Sequence, residues 1–335
     1  MSATPQPIRS KLLRILLLPL ISMVALWGVI AYSSAEEIAT ISQTQNRWEV
    51  IGAPVLQLIT EFQRERQLSA EAPGSTGYDK SLGDQRQITD RTVTRVRQVI
   101  DSVTDADEAP ERVRALVTAL DTLTRLRQDA DSGRLSPRLR VLTAYDELID
   151  AAYMQFTEGD ALSSTSSYRT VRGMSFYSSS AEYLARQHAV LTSSLVRGRM
   201  SPTERAAFIA GMAGRRIAIA NSENDMGPEL RVRYDDLLKS FVYRRLLDVE
   251  SKVFSSDTAG ALPVEPSVWR SDARAILDHI TRDTEDELAR AEAQRDSDKV
   301  AAYWRIGLIV GLGLAAIVVS ILLSYRFGRS LVGEL

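Results

Sequence analysis

Apolar residues recur along most of this chain three or four positions apart, the spacing of a helix face, and no stretch alternates as a half-buried strand would. Breakers divide the pattern into eight helices, over 33–70, 78–103, 111–130, 137–157, 168–197, 201–223, 228–254 and 266–325. Pro54 marks a kink in the first. Ser201-Pro202-Thr203-Glu204 reads as a capping box with proline at the first helical position, a strong start signal. A Ser- and Gly-rich join over 159–167 separates four helices from four. The pattern therefore predicts an all-α fold of two antiparallel helical bundles.

Two uncharged apolar stretches, 15–32 and 306–325, each approach the roughly 20 residues that a spanning helix needs. Arg9, Lys11 and Arg14 precede the first, and Arg326 and Arg329 follow the second, which puts both termini in the cytoplasm. The expected layout is a cytoplasmic N-terminus (1–14), a transmembrane helix (15–33), an extracytoplasmic helical domain (34–304), a second transmembrane helix (305–325) and a short cytoplasmic segment (326–335). Gly307 and Gly311 fit a small-xxx-small helix contact and suggest a homodimer.

The 335 residues include no cysteine, which excludes disulfides and thiolate metal sites, and only two histidines, His188 and His279, which leaves little for a His-based metal cluster. No catalytic triad, metal motif or cofactor motif occurs. Histidine-kinase chemistry would need a cytoplasmic phospho-accepting histidine and glycine-rich nucleotide boxes, so kinase activity could belong only to a longer polypeptide of which this is the N-terminal part. The extracytoplasmic segment carries 35 basic and 42 acidic residues, a net of about −7, which disfavours a nucleic-acid surface and long-range steering of an anion. An anion site would have to be local.

Candidates for such a site are cations on apolar faces. Arg66 shares its arc with Val55, Leu58, Ile59 and Phe62, whereas Arg64 points away. An arginine there needs a partner. That partner is either a carboxylate, from Glu65 or a neighbouring helix, or a bound oxyanion suited to the planar fork of donors. Arg86 shares a face with Leu82, Val93, Val96 and Ile100, accompanied by Gln85 and Thr89. His188 falls with Leu184, Leu191 and Leu195, and Arg216 with Phe208, Met212 and Ile219. Two such groups in each half suggest an anion pocket between the bundles, an expectation that fails if Arg66 and Arg216 prove open to water or locked to carboxylates.

Gln63-Arg-Glu-Arg-Gln-Leu-Ser-Ala70, followed by Leu82-Gly-Asp-Gln-Arg-Gln-Ile-Thr-Asp90, resembles the paired helix motifs of the nitrate- and nitrite-sensing (NIT) domain. The resemblance implies an all-helical domain of two bundles that binds nitrate or nitrite between them through arginines. It further implies a place outside the membrane in a bacterial sensor histidine kinase or chemoreceptor, although some relatives are cytoplasmic antiterminators. Carried over, Arg66 matches the first motif, and Gln85, Arg86 and Thr89 match the second. His188 falls where the second half would supply an arginine, so Arg216 or Arg186 could substitute. Arg329-Ser-Leu-Val-Gly-Glu-Leu335 is similar to the opening of a HAMP relay helix, with Glu334 where proline is typical. The expected function is a two-component membrane receptor for nitrate or nitrite, with a kinase module or response regulator downstream. The alternatives are a sensor of another small ligand and a partner-binding scaffold with none.

Overall fold

The computed structural model describes residues 24–30, 32–33, 52–71, 80–103, 110–135, 138–156, 165–256, 262 and 264–333. All of its regular structure among these residues is helical, as the spacing predicts. Nine helices follow residue 52: α1 (Ala53–Glu71), α2 (Lys80–Val103), α3 (Glu111–Asp131), α4 (Leu139–Tyr153), α5 (Thr165–Val196), α6 (Pro202–Glu223), α7 (Pro228–Lys239), α8 (Phe241–Ser255) and α9 (Pro266–Gly333). The chain falls into two compact units, one formed by Thr44–Ala289 and the other by Met1–Gln43 with Arg290–Leu335.

In the larger unit the apolar faces gather into two clusters. Val55, Leu58 and Phe62 of α1 join Leu116 and Leu120 of α3 and Tyr145 and Leu148 of α4. Tyr177 and Leu184 of α5 join Phe208 of α6, Leu230 of α7, Leu246 of α8 and Trp269 and Ile276 of α9. Each such side chain, fully withdrawn from water, contributes about 1.5–3 kcal/mol.

The α5–α6 turn follows its sequence closely. Gly198 adopts φ 70°, which a side chain would resist, and its N–H donates to Leu195 O while that of Arg199 reaches Ser194 O, closing α5 with a Schellman motif. Ser201 then opens α6. Its Oγ accepts the Glu204 N–H at 3.2 Å, and its own N–H donates to the Glu204 carboxylate at 2.8 Å. The two helices pack along their length, with Gly214 of α6 lying against the Tyr183 ring of α5 so closely that a Cβ there would collide with it.

One helix expected over 228–254 is two. Ser240 is extended (φ −65°, ψ 151°) and caps α8 by accepting the Tyr243 N–H at 3.1 Å. Leu230, Leu237, Tyr243 and Leu246 are buried on both sides of the break, so apolar spacing runs through it without a trace.

In the smaller unit, Tyr303–Leu323 is 21 residues long with mean hydropathy 2.8, long and apolar enough to cross a membrane. Most of the first apolar stretch lies outside the described residues; 24–30 and 32–33 are helical. The Trp27 indole N–H donates to Ile309 O at 3.2 Å, and its ring covers Gly313. At Gly307 and Gly311, the pair singled out by spacing, an added Cβ would meet nothing within 4 Å among the described residues. Residues 334–335, part of the HAMP-like segment, lie outside the described residues.

Candidate anion site

Helices α1, α5 and the beginning of α9 converge on a cluster of cations. Arg66 is 1% exposed. Its Nη1 donates to Glu182 Oε1 at 2.6 Å and its Nη2 to Glu182 Oε2 at 3.0 Å, while Nη1 also meets Asp146 of α4. Burial alone would push this guanidinium down, but Glu182 and Asp146 outweigh it and hold it above its ordinary value. Burial likewise pushes Glu182 up, and Arg66 and then Arg186 more than reverse that, so Glu182 stays ionised. Asp146 is instead raised, because burial dominates there. The carboxylate partner expected for Arg66 is thus supplied by neighbouring helices. Glu65 is engaged elsewhere, accepting from Arg127 at 2.7 and 2.8 Å and from the Tyr145 hydroxyl at 2.7 Å.

The second motif sits on a different seam. Gln85 donates to Glu61 at 2.7 Å, and the Thr89 hydroxyl donates to Gln85 O within α2. Arg86 donates both Nη groups to Asp131 at 2.8 Å, with its Nε 3.7 Å from Glu65. These residues fasten α2 and α3 to α1 and do not surround the Arg66 fork.

His188 of α5 is 2% exposed and stacks at a tilt on Trp269, ring centroids 5.8 Å apart. Burial pushes its imidazole down to about 3, and Arg274, Arg270 and Arg66, in that order, add to the effect. Thr192 Oγ1 lies 3.4 Å from His188 Nδ1 and 3.4 Å from Gln67 Nε2. Gln67 in turn donates to Glu71 Oε1 at 3.0 Å, and the same oxygen is 3.1 Å from Arg274 Nη2 and 3.5 Å from Arg270 Nε. His188 Nε2, Arg66 Nε and Arg270 Nε are buried and make no hydrogen bond among the described residues. Three guanidiniums therefore act on one neutral imidazole, and several donors are unspent, a combination that favours an anion.

Arg216 stands apart. Its side chain is 59% exposed, with Nη2 3.4 Å from Glu250, and with Arg66 already locked to Glu182 and Asp146 the expected pocket built on Arg66 and Arg216 together fails. The buried arginine on α6 is its neighbour Arg215, which donates to Glu250 at 2.8 Å and to the Tyr243 hydroxyl at 2.7 Å. Phe208 and Ile219 of the expected arc are buried, but the arc's centre runs through Gly211, Arg215, Ala218 and Ser222, so that Arg215 and not Arg216 faces inward. Gly211 hides this arc from an apolar count. Arg186, the other proposed substitute, is bound to Glu182 at 2.8 Å and to Asp150. Arg270 and Arg274 were not singled out by sequence, although they lie four apart beside the apolar Trp269 and Ala273.

Fold and site together define an all-helical domain organised around buried arginine–carboxylate networks, with buried donors unspent at the junction of α1, α5 and α9. The chain belongs to the nitrate and nitrite sensing (NIT) family, whose model matches residues 57–291. Among solved structures it is similar to that of the NasR transcription antiterminator. The two share 14% identity at a TM-score of 0.66, with 89% of this chain and 82% of that one covered, a likeness of fold alone. No curated protein sequence matches the chain.

Proposed function

We propose that this chain is a membrane receptor for nitrate or nitrite, and that the ion seats where Arg66, Gln67, His188, Thr192, Arg270 and Arg274 converge. The observation that carries this reading is the surplus of donors at His188. A planar monovalent oxyanion would take the Nε–H of Arg66 and a neutral imidazole N–H, and would be balanced by Arg270 and Arg274. Glu182 fixes the Arg66 fork, while Gln85, Arg86 and Thr89 brace α1 from its other side. The finer layout carried by this reading is two helical bundles outside the membrane over 34–304, two spans and cytoplasmic termini. Dimerisation and a downstream kinase module or response regulator complete it. Tyr303–Leu323 supports the second span. The net of about −7 over 34–304 argues against a nucleic-acid partner.

Titration calorimetry of the full chain in detergent tests the reading. Saturable heat with nitrate or nitrite, lost in Arg270→Gln/Arg274→Gln, is the expected result; no heat with either ion at millimolar concentration overturns it. A second reading, a scaffold with purely structural arginines, draws support from the two carboxylates that already occupy the Arg66 fork. It would be favoured by a chain that binds neither ion yet depends on Arg66 for stability.

A further inference from the structure

We propose that Glu71 is the anion this site holds when no ligand is present, and that the ligand binds by taking its place. The inference rests on the reading of the site given above and concerns how it is regulated. Three carboxylates touch the cluster, Glu182 and Asp146 at the Arg66 fork and Glu71 at the α9 arginines, and Glu182 and Glu71 are held very differently. Glu182 accepts from Arg66 through both oxygens, from Gln63 at 2.7 Å and from Arg186 at 2.8 Å. Its departure would leave the fully buried Arg66 with Asp146 alone and would take a partner from Arg186, at a large electrostatic cost.

Glu71 is the last residue of α1, and its contacts to Gln67, Arg274 and Arg270 all fall on the single oxygen Oε1. Its arginine partners are 41% and 53% exposed and Glu71 itself 18%, so the arginines can return to water and the acid lies at the edge of it. Surface pairs of this kind contribute little to stability. Gln67 links Glu71 to Thr192, and Thr192 reaches His188 Nδ1, so the Glu71 oxygen lies at the outer end of a polar chain leading to the His188 ring, whose other nitrogen, Nε2, is unspent. A carboxylate and a nitrite or nitrate ion present the same chemistry to these donors, one negative charge spread over planar oxygens.

Exchange has a mechanical result within this unit. Glu71 ties the end of α1 to the first turns of α9 through Arg270 and Arg274. Once a small anion takes Gln67, Arg270 and Arg274, that tie is cut and the last turn of α1 is released. The bound and free states then differ in which anion the α9 arginines hold, which is the differential interaction that any ligand-driven shift requires.

The test is calorimetric titration of the full chain in detergent with sodium nitrate and, separately, sodium nitrite, comparing wild type with Glu71→Gln. The variant keeps the side chain's size and removes its charge at a helix end. It should bind at least about tenfold more tightly, and Glu71→Asp, which keeps the charge but shortens the arm, should fall between. Hydrogen exchange should show that nitrate loosens residues 68–71 in wild type, whereas in Glu71→Gln they are loose before nitrate is added. Wild-type binding with equal or weaker binding by Glu71→Gln, or unchanged exchange at 68–71, overturns the exchange and leaves the site reading standing. No binding by either protein overturns the site reading and this inference together.

Discussion

The Arg66 guanidinium meets the Glu182 carboxylate edge to edge, Nη1 on Oε1 and Nη2 on Oε2, and both residues are withdrawn from water. Removing one member leaves the other charge buried. Arg66→Ala and Glu182→Ala should each cost about 3–5 kcal/mol in urea denaturation. The double replacement Arg66→Met/Glu182→Met should cost far less than the sum, because Arg186 and Asp146 remain to balance each other. Additive losses would show that the two side chains are not coupled.

Arg215 and Arg216 are neighbours in sequence with opposite surroundings. Arg215→Met leaves Glu250, which is 1% exposed, with the Gln187 amide and a 3.4 Å contact to the exposed Arg216, and is expected to lower stability by about 3 kcal/mol. Arg216→Met should stay within about 0.5 kcal/mol of wild type. Equal effects in thermal or urea melts would place the inward arc of α6 wrongly.

Gly214 has no room for a side chain because the Tyr183 ring lies against it. Gly214→Val should force α5 and α6 apart and destabilise by about 1–3 kcal/mol. Pairing it with Tyr183→Ala should recover part of the loss, which the same melts would read.

His188 gives stability a pH dependence of known sign. Its imidazole stays neutral in the folded chain down to about 3, whereas in the unfolded chain it protonates near 6.5. The unfolded state therefore binds more protons between those values. Stability from this group is complete above pH 6.5 and is lost as pH falls towards 3, by about 1.4 kcal/mol per pH unit at the steepest. Urea midpoints at pH 7, 5.5 and 4.5 should fall more steeply for wild type than for His188→Gln, the carboxylates common to both cancelling in the comparison.

Much of the fold was legible because helical spacing, prolines and the Ser201 box are local signals. The break at Ser240 was not, because both flanking helices bury the same face. The burial of Arg66 and His188 was legible from their apolar arcs, since burial follows periodicity. Their partners were not found. Glu182 lies 116 residues from Arg66, and the arginines nearest His188 are on α9. Which carboxylate reaches which cation is decided by tertiary packing, which a one-dimensional count does not carry. Arg215 was missed by one position because a glycine occupies the inward arc before it, and an arc drawn through large apolar residues passes to its neighbour.

The indole of Trp27 filling the hollow above Gly313 ties the fates of two distant codons. A bulkier residue at 313 is tolerable only if position 27 shrinks, and a smaller residue at 27 would leave a void that a larger one at 313 could fill. Among relatives of this chain the two positions should covary, large with small, so that the packing of these two apolar helices could be read from an alignment alone.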